Sequence, residues 1–216
     1  MDHTDAPGFY TNDHRIWNTL FEDIPPQWKQ IPPSQEMQDC LEFFQHHNVS
    51  NVLDLGCGVG VWAMYLSKAG LRLKGVDFSQ NAIDFAAGWA REEKQEIEFR
   101  CAPVTSEAFP TERFDAVVAA KILDNISRQE FAVVLNHLET SLGNEGLLYC
   151  LFNPAMTVEE LEQLELSDNP TKGITHILYT DEELRRLFPG FDLLAFKRYT
   201  HGFRGLFLQK RARDGS

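Results

Sequence analysis

Two short stretches hold the residue types best suited to chemistry. Val52-Leu53-Asp54-Leu55-Gly56-Cys57-Gly58-Val59-Gly60 sets three glycines at alternate positions, with an acid two residues ahead of the first. Glycines so spaced remove side chains where a backbone must turn sharply and lie against a ligand. Lys74-Gly75-Val76-Asp77-Phe78-Ser79 adds a second acid at the end of a second apolar run. The pair predicts a nucleotide-type cradle holding two carboxylates. A dinucleotide would set its pyrophosphate at the start of the next helix, where Asp54 repels it, and its fingerprint needs glycine where this chain has Val61. A ligand with a cationic group for Asp54 and ribose hydroxyls for Asp77 suits both acids.

Those residues need a sheet edge to converge on. Val52–Leu55, Leu71–Val76, Ile97–Cys101, Phe114–Ala120 and Leu147–Phe152 read as strands separated by helical patterns, which predicts crossovers and a parallel sheet. Ser127 with Glu130, Thr157 with Glu160 and Thr180 with Glu183 fit capping boxes, and Ser79 is placed to cap the helix carrying Ile83, Ala86 and Ala90. Phe191–Tyr199 and Phe203–Gln209 are joined by three residues, a link so short that the last two strands must be antiparallel. The expected fold is α/β: a doubly wound, Rossmann-like sheet of seven strands, mostly parallel, with a C-terminal antiparallel hairpin and helices on both faces. Ahead of it, Asp13–Ile24 and Ser34–His47 read as helices joined by an irregular bridge, Gln27–Ile31. Residues 1–48 are thus expected to be a helical cover and 49–216 the core, within one compact domain.

In these motifs the chain resembles the class I S-adenosylmethionine-dependent methyltransferases, over most of Asn51–Phe152. The resemblance implies S-adenosyl-L-methionine as cofactor and S-adenosyl-L-homocysteine as product. It assigns Gly56, Cys57, Gly58 and Gly60 to the methionine end, Asp54 to its amino group, Asp77 to the ribose and Phe78 to the adenine. Phe114-Asp115-Ala116-Val117-Val118-Ala119-Ala120-Lys121-Ile122-Leu123-Asp124-Asn125-Ile126 resembles the family's fourth-strand motif, which sets Lys121 beside the cofactor and Asp124 and Asn125 toward the substrate. Two departures matter. Pro103 stands where many relatives carry an acid for the adenine amino group, leaving the Val104 backbone and the Thr105 or Ser106 hydroxyls to hold it, and the histidine common at position 124 or 125 is absent.

The remaining candidates come from the cover and the loops. Trp28 is expected at the cofactor, and Tyr10, Trp17, His176 and His201 at the acceptor, with core packing or a surface place as the duller readings. A sulfonium is already activated, so positioning dominates; a hydroxyl or ammonium acceptor would also need a base, for which Asp124, His176 and His201 are candidates, and none is assigned as catalytic. Four separated cysteines and seven histidines without ligand spacing predict no metal site. A net charge of −12, from 32 acids and 20 bases, disfavours nucleic acid as partner. The absence of a long apolar run or charged leader predicts a cytoplasmic protein with no membrane partner. The expected activity is methyl transfer to a small molecule. The alternatives are a non-catalytic cofactor-binding regulator, favoured by the missing adenine acid, and a protein methyltransferase.

Overall fold

The structure is a computed structural model that describes residues 12–106, 109–110, 112–166 and 174–212. Seven strands form one sheet: β1 (Asn51–Leu55), β2 (Arg72–Asp77), β3 (Ile97–Cys101), β4 (Phe114–Ala120), β5 (Leu142–Phe152), β6 (Phe191–Arg198) and β7 (Arg204–Lys210). Their order is β3-β2-β1-β4-β5-β7-β6; β1 to β5 pair in parallel, and β7 lies antiparallel to both β5 and β6. The seven-stranded sheet with a terminal antiparallel hairpin is the architecture expected from the sequence.

Side chains alternate across the central strands because successive Cβ atoms leave a strand on opposite faces. Leu53, Leu55, Val117, Ala119, Leu148 and Cys150 pack on one face with α5 (Arg128–Ser141) and α7 (Asp181–Arg186). Val52, Ala116, Val118, Leu147, Tyr149 and Leu151 pack on the other with α2 (Gln35–His46) and α3 (Val61–Lys68). Met64 of α3 then meets Trp89 and Ala90 of α4 (Gln80–Glu92). With both faces covered, the binding edge must lie at the ends of the strands.

The predicted helix starts are present. Ser79 accepts from the Ala82 N–H, and Ser127–Glu130 and Thr180–Glu183 form complete capping boxes. Thr157 and Glu160 bond reciprocally at the head of α6 (Val158–Leu166). Three boundaries differ from expectation. The first helix, α1, is Asn12–Leu20 and does not reach Ile24, since Ile24 precedes Pro25 and is steered away from helical backbone. Residues 26–30, expected to be irregular, form a 3-10 turn with Pro26 at its first position, where a missing N–H costs nothing. β5 begins at Leu142 and not Leu147, through an irregular stretch in which Glu145 is left-handed (φ 59°); Gly143 and Gly146 make that stretch look like a loop in the sequence. Among the described residues, no helix is long and apolar enough to cross a membrane, and no group of three or more His, Cys, Asp or Glu is placed to hold a metal ion.

Candidate active site

The turns after β1, β2, β3, β4 and β5 all open onto one cavity of about 800 Å³. That is the size of a site for a cofactor-sized ligand. The order of strands reverses between β1 and β4, the place where an open α/β sheet leaves a crevice beyond its carboxyl ends.

The glycine turn forms the floor. The Gly56 and Cys57 N–H groups both donate to the Val76 carbonyl, at 2.8 and 3.0 Å, tying the turn to β2. At Gly56, with φ at +68°, a Cβ would lie 2.9 Å from Ile122, so the loop after β4 can close on the turn only if that side chain is absent. Gly58 is also left-handed (φ +51°), and its N–H donates to Asp77 Oδ2 at 2.9 Å. The Ser79 N–H donates to Asp77 Oδ1, also at 2.9 Å. Asp77, 6% exposed, therefore holds the two cavity turns together before any ligand arrives.

Asp54 is in the opposite condition. It is 1% exposed, it lines the cavity, and its Oδ2 has no hydrogen-bond partner. Burial is the main reason that its carboxyl is pushed up to about 7, the Ala63 N–H opposing and the Asp77 charge adding to the rise. Burial also raises Asp77, against the three backbone N–H groups that favour its charge. An orphaned carboxylate oxygen beside an open glycine turn fits a ligand with an ammonium group.

The other expected residues fall into two groups. Cys57, Phe78, Val104, Lys121, Trp17, Trp28, Asn125 and His176 all line the cavity, as does Thr105. Phe78 already has the His14 ring against it, 4.3 Å between centroids. The Val104 carbonyl accepts from His137 Nδ1 at 3.0 Å. Lys121, left-handed at φ 58°, lies over the Phe203 ring at 5.4 Å. Asn125 Nδ2 donates to the Thr175 carbonyl at 3.1 Å and to His176 Nδ1 at 3.2 Å. The neutral ring then carries its proton on Nε2, which is buried without a partner.

Two expected substrate residues are placed elsewhere. Asp124 is buried but is not among the lining residues; its Oδ2 accepts from the Asn153 N–H at 2.8 Å, which turns it into a brace for the segment after β5. His201 is exposed in the short link before β7, and it too is absent from the cavity wall. In this arrangement neither side chain opens onto the cavity. Tyr10 and the loop Ser167–Gly173 lie outside the described residues.

The structure also brings in a residue that the sequence reading passed over. Glu36, in the first turn of α2, is 8% exposed and lines the cavity. In sequence it is an ordinary helix-start acid, a type that suits the positive end of the helix dipole and normally faces water. Nothing local marks it as buried.

Comparison with known proteins bears on the fold that carries this cavity. The methyltransferase domain family matches residues 52–146, which run from β1 into β5. Over that region, a little under half of its length, the chain is similar to methyltransferase domains. Among curated proteins, the chain is 36% identical over 97 residues to a ubiquinone biosynthesis O-methyltransferase of Bradyrhizobium diazoefficiens. That match covers 45% of this chain and 37% of the relative, so the chain spans little more than a third of the relative's length. Two solved folds resemble it over nearly their whole lengths. The N-methyltransferase NodS from Bradyrhizobium japonicum WM9, in complex with S-adenosyl-L-homocysteine, has a TM-score of 0.69 at 16% identity, covering 93% of this chain and 99% of that one. Magnesium protoporphyrin IX methyltransferase from Synechocystis PCC 6803, with the same bound product, has a TM-score of 0.68 at 18% identity, covering 94% and 96%.

Proposed function

We propose that this chain binds S-adenosyl-L-methionine and transfers its methyl group to a small molecule, releasing S-adenosyl-L-homocysteine. The observation that carries the reading is the unpaired, buried Oδ2 of Asp54 beside the Gly56–Gly60 turn, in the same cavity as Asp77. Asp54 would take the amino group of the methionine end. The turn lets the backbone of Gly56, Cys57 and Gly58 approach that end closely, and Asp77 keeps lone pairs for the ribose hydroxyls; Gly60, absent from the cavity wall, lies where a Cβ would meet Ala86 at 3.0 Å. Phe78, Val104 and Trp28 would flank the adenine, with Lys121 at the cofactor's border. Trp17, Asn125 and His176 face the remaining space, where His176 Nε2–H would donate to an oxygen of the acceptor. Residues 1–48 would act as a cover that excludes water from this space.

When bound, the cofactor supplies a methyl group already activated by a sulfonium. The protein's task is therefore to hold the acceptor in line, near van der Waals distance, away from water. A small acceptor is supported by the cavity's apolar wall and by the O-methyltransferase named among the relatives. Calorimetry is the direct test: both the methyl donor and its demethylated product should bind, and a nicotinamide dinucleotide should not. The reverse preference would overturn the reading.

A further inference from the structure

Glu36 is a carboxylate with no assigned use. Among the described residues it carries no hydrogen bond and no ion pair, yet it is more than nine-tenths buried and lines the cavity. An acid placed only to complement a helix start would sit in water, where its charge costs little. This one lies close enough to Tyr149 and Tyr199 for its charge to oppose ionisation of both hydroxyls. Those two hydroxyls bond each other at 3.2 Å, behind the wall that Trp62 shares with Tyr149. Those hydroxyls are bonded to each other and none of the bonds among the described residues reaches the Glu36 carboxylate, which is left to face the cavity.

We propose that Glu36 is the catalytic base for an aromatic hydroxyl acceptor. The inference rests on the methyltransfer reading above and names the acceptor class for the same cavity. In the step, the acceptor's O–H bond breaks and its proton passes to a Glu36 oxygen. The acceptor oxygen's electron pair forms the bond to the methyl carbon as the carbon–sulfur bond breaks, its pair remaining on sulfur. A phenol suits a carboxylate base because its acidity, about 10, lies much closer to a glutamate's, about 4.3, than that of an aliphatic alcohol. Lys121 argues against an ammonium acceptor. Its cation lines the same cavity over the Phe203 ring, where it favours the negative charge that develops on a phenol oxygen and gives nothing comparable to an amine.

The test uses the full chain saturated with S-adenosyl-L-homocysteine, titrated with catechol and with benzylamine as probes, and then turnover with catechol and 4-nitrocatechol. Wild type should bind catechol in preference to benzylamine, and Glu36→Gln should weaken catechol binding about tenfold, the loss of one bond to a charged group. Glu36→Gln should slow transfer to catechol by roughly 100-fold or more, and Glu36→Asp should restore part of it. The loss should shrink for 4-nitrocatechol, whose hydroxyl gives up its proton without help. Preference for benzylamine, no transfer to either catechol by wild type, or full activity in Glu36→Gln would each overturn the proposal. So would a loss of product binding in Glu36→Gln, since Glu36 would then belong to the cofactor. Failure of wild type to bind the product at all would instead sink the methyltransfer reading itself.

Discussion

Burial pushes the Asp54 carboxyl up to about 7, and that sets a pH dependence for the free and the bound protein. Between an unfolded value of about 3.9 and that raised one, the folded chain holds a proton that the unfolded chain has lost, so Asp54 makes stability fall as pH rises through this window. A cationic group beside Asp54 favours its charged form. Binding of S-adenosyl-L-methionine should therefore release a proton, with affinity rising from about pH 5 to about pH 7. Calorimetry in buffers of different ionisation heat counts that proton. Asp77 is raised in the same direction, so Asp54→Asn is the control, and a proton count that survives in this variant would assign the effect to Asp77. Asp77→Ala has a double consequence because its oxygens accept the Gly58 and Ser79 N–H groups. Cofactor binding should weaken by about 1.5–3 kcal/mol, and stability should drop as well, since two backbone donors lose their acceptor. Asp77→Asn retains one acceptor oxygen and should fall between Ala and wild type in denaturant melts. Both acids were legible in the sequence because each follows directly from a strand pattern. The lack of a partner at Asp54 and the bracing role of Asp77 were not, since each depends on a turn from another strand.

At the scale of elements, α1 and the following 3-10 turn are held to the core through α4. Lys29 pairs with Glu92 at 2.6 Å and lies over the Phe85 ring at 5.2 Å. These elements give the cavity Trp17, Leu20, Phe21, Ile24 and Trp28, the last still 40% exposed. Removing residues 1–31 should leave the seven-stranded sheet folded, as judged by circular dichroism. Methyl transfer should be lost, with a modest loss of cofactor affinity, because the deleted wall is apolar and the two acids stay in place. Undiminished transfer by the truncated chain would show that the cover does not shape the acceptor site. The capping boxes make a separate prediction: Ser127→Ala should cost about 1 kcal/mol in unfolding free energy without changing cofactor affinity. These helix starts were readable because a cap involves residues three apart. The 3-10 turn after Pro25 and the early start of β5 were not, since proline and glycine signal a departure from regular structure without saying what replaces it.

For the whole molecule, a ligand that binds the folded chain alone raises its stability by mass action. At a hundredfold excess over the dissociation constant, S-adenosyl-L-homocysteine should add about 2.7 kcal/mol, which for a chain of this length moves the melting midpoint up by roughly 5–10 °C. A nicotinamide dinucleotide should leave the midpoint unchanged, and a shift of equal size with it would remove the argument from Asp54 and Val61. The chain by itself determined the class of sheet, the antiparallel ending, the glycine turn and the two acids beside it. Each is written in local terms: a period of two along a strand, a cap between residues three apart, a link too short for a crossover. Only the tertiary structure decided that Asp124 braces Asn153, that His201 faces solvent, and that Glu36 lies inside the cavity. Those outcomes depend on how elements far apart in sequence pack over one sheet edge, and a side chain's polarity does not say which of its neighbours will exclude water from it.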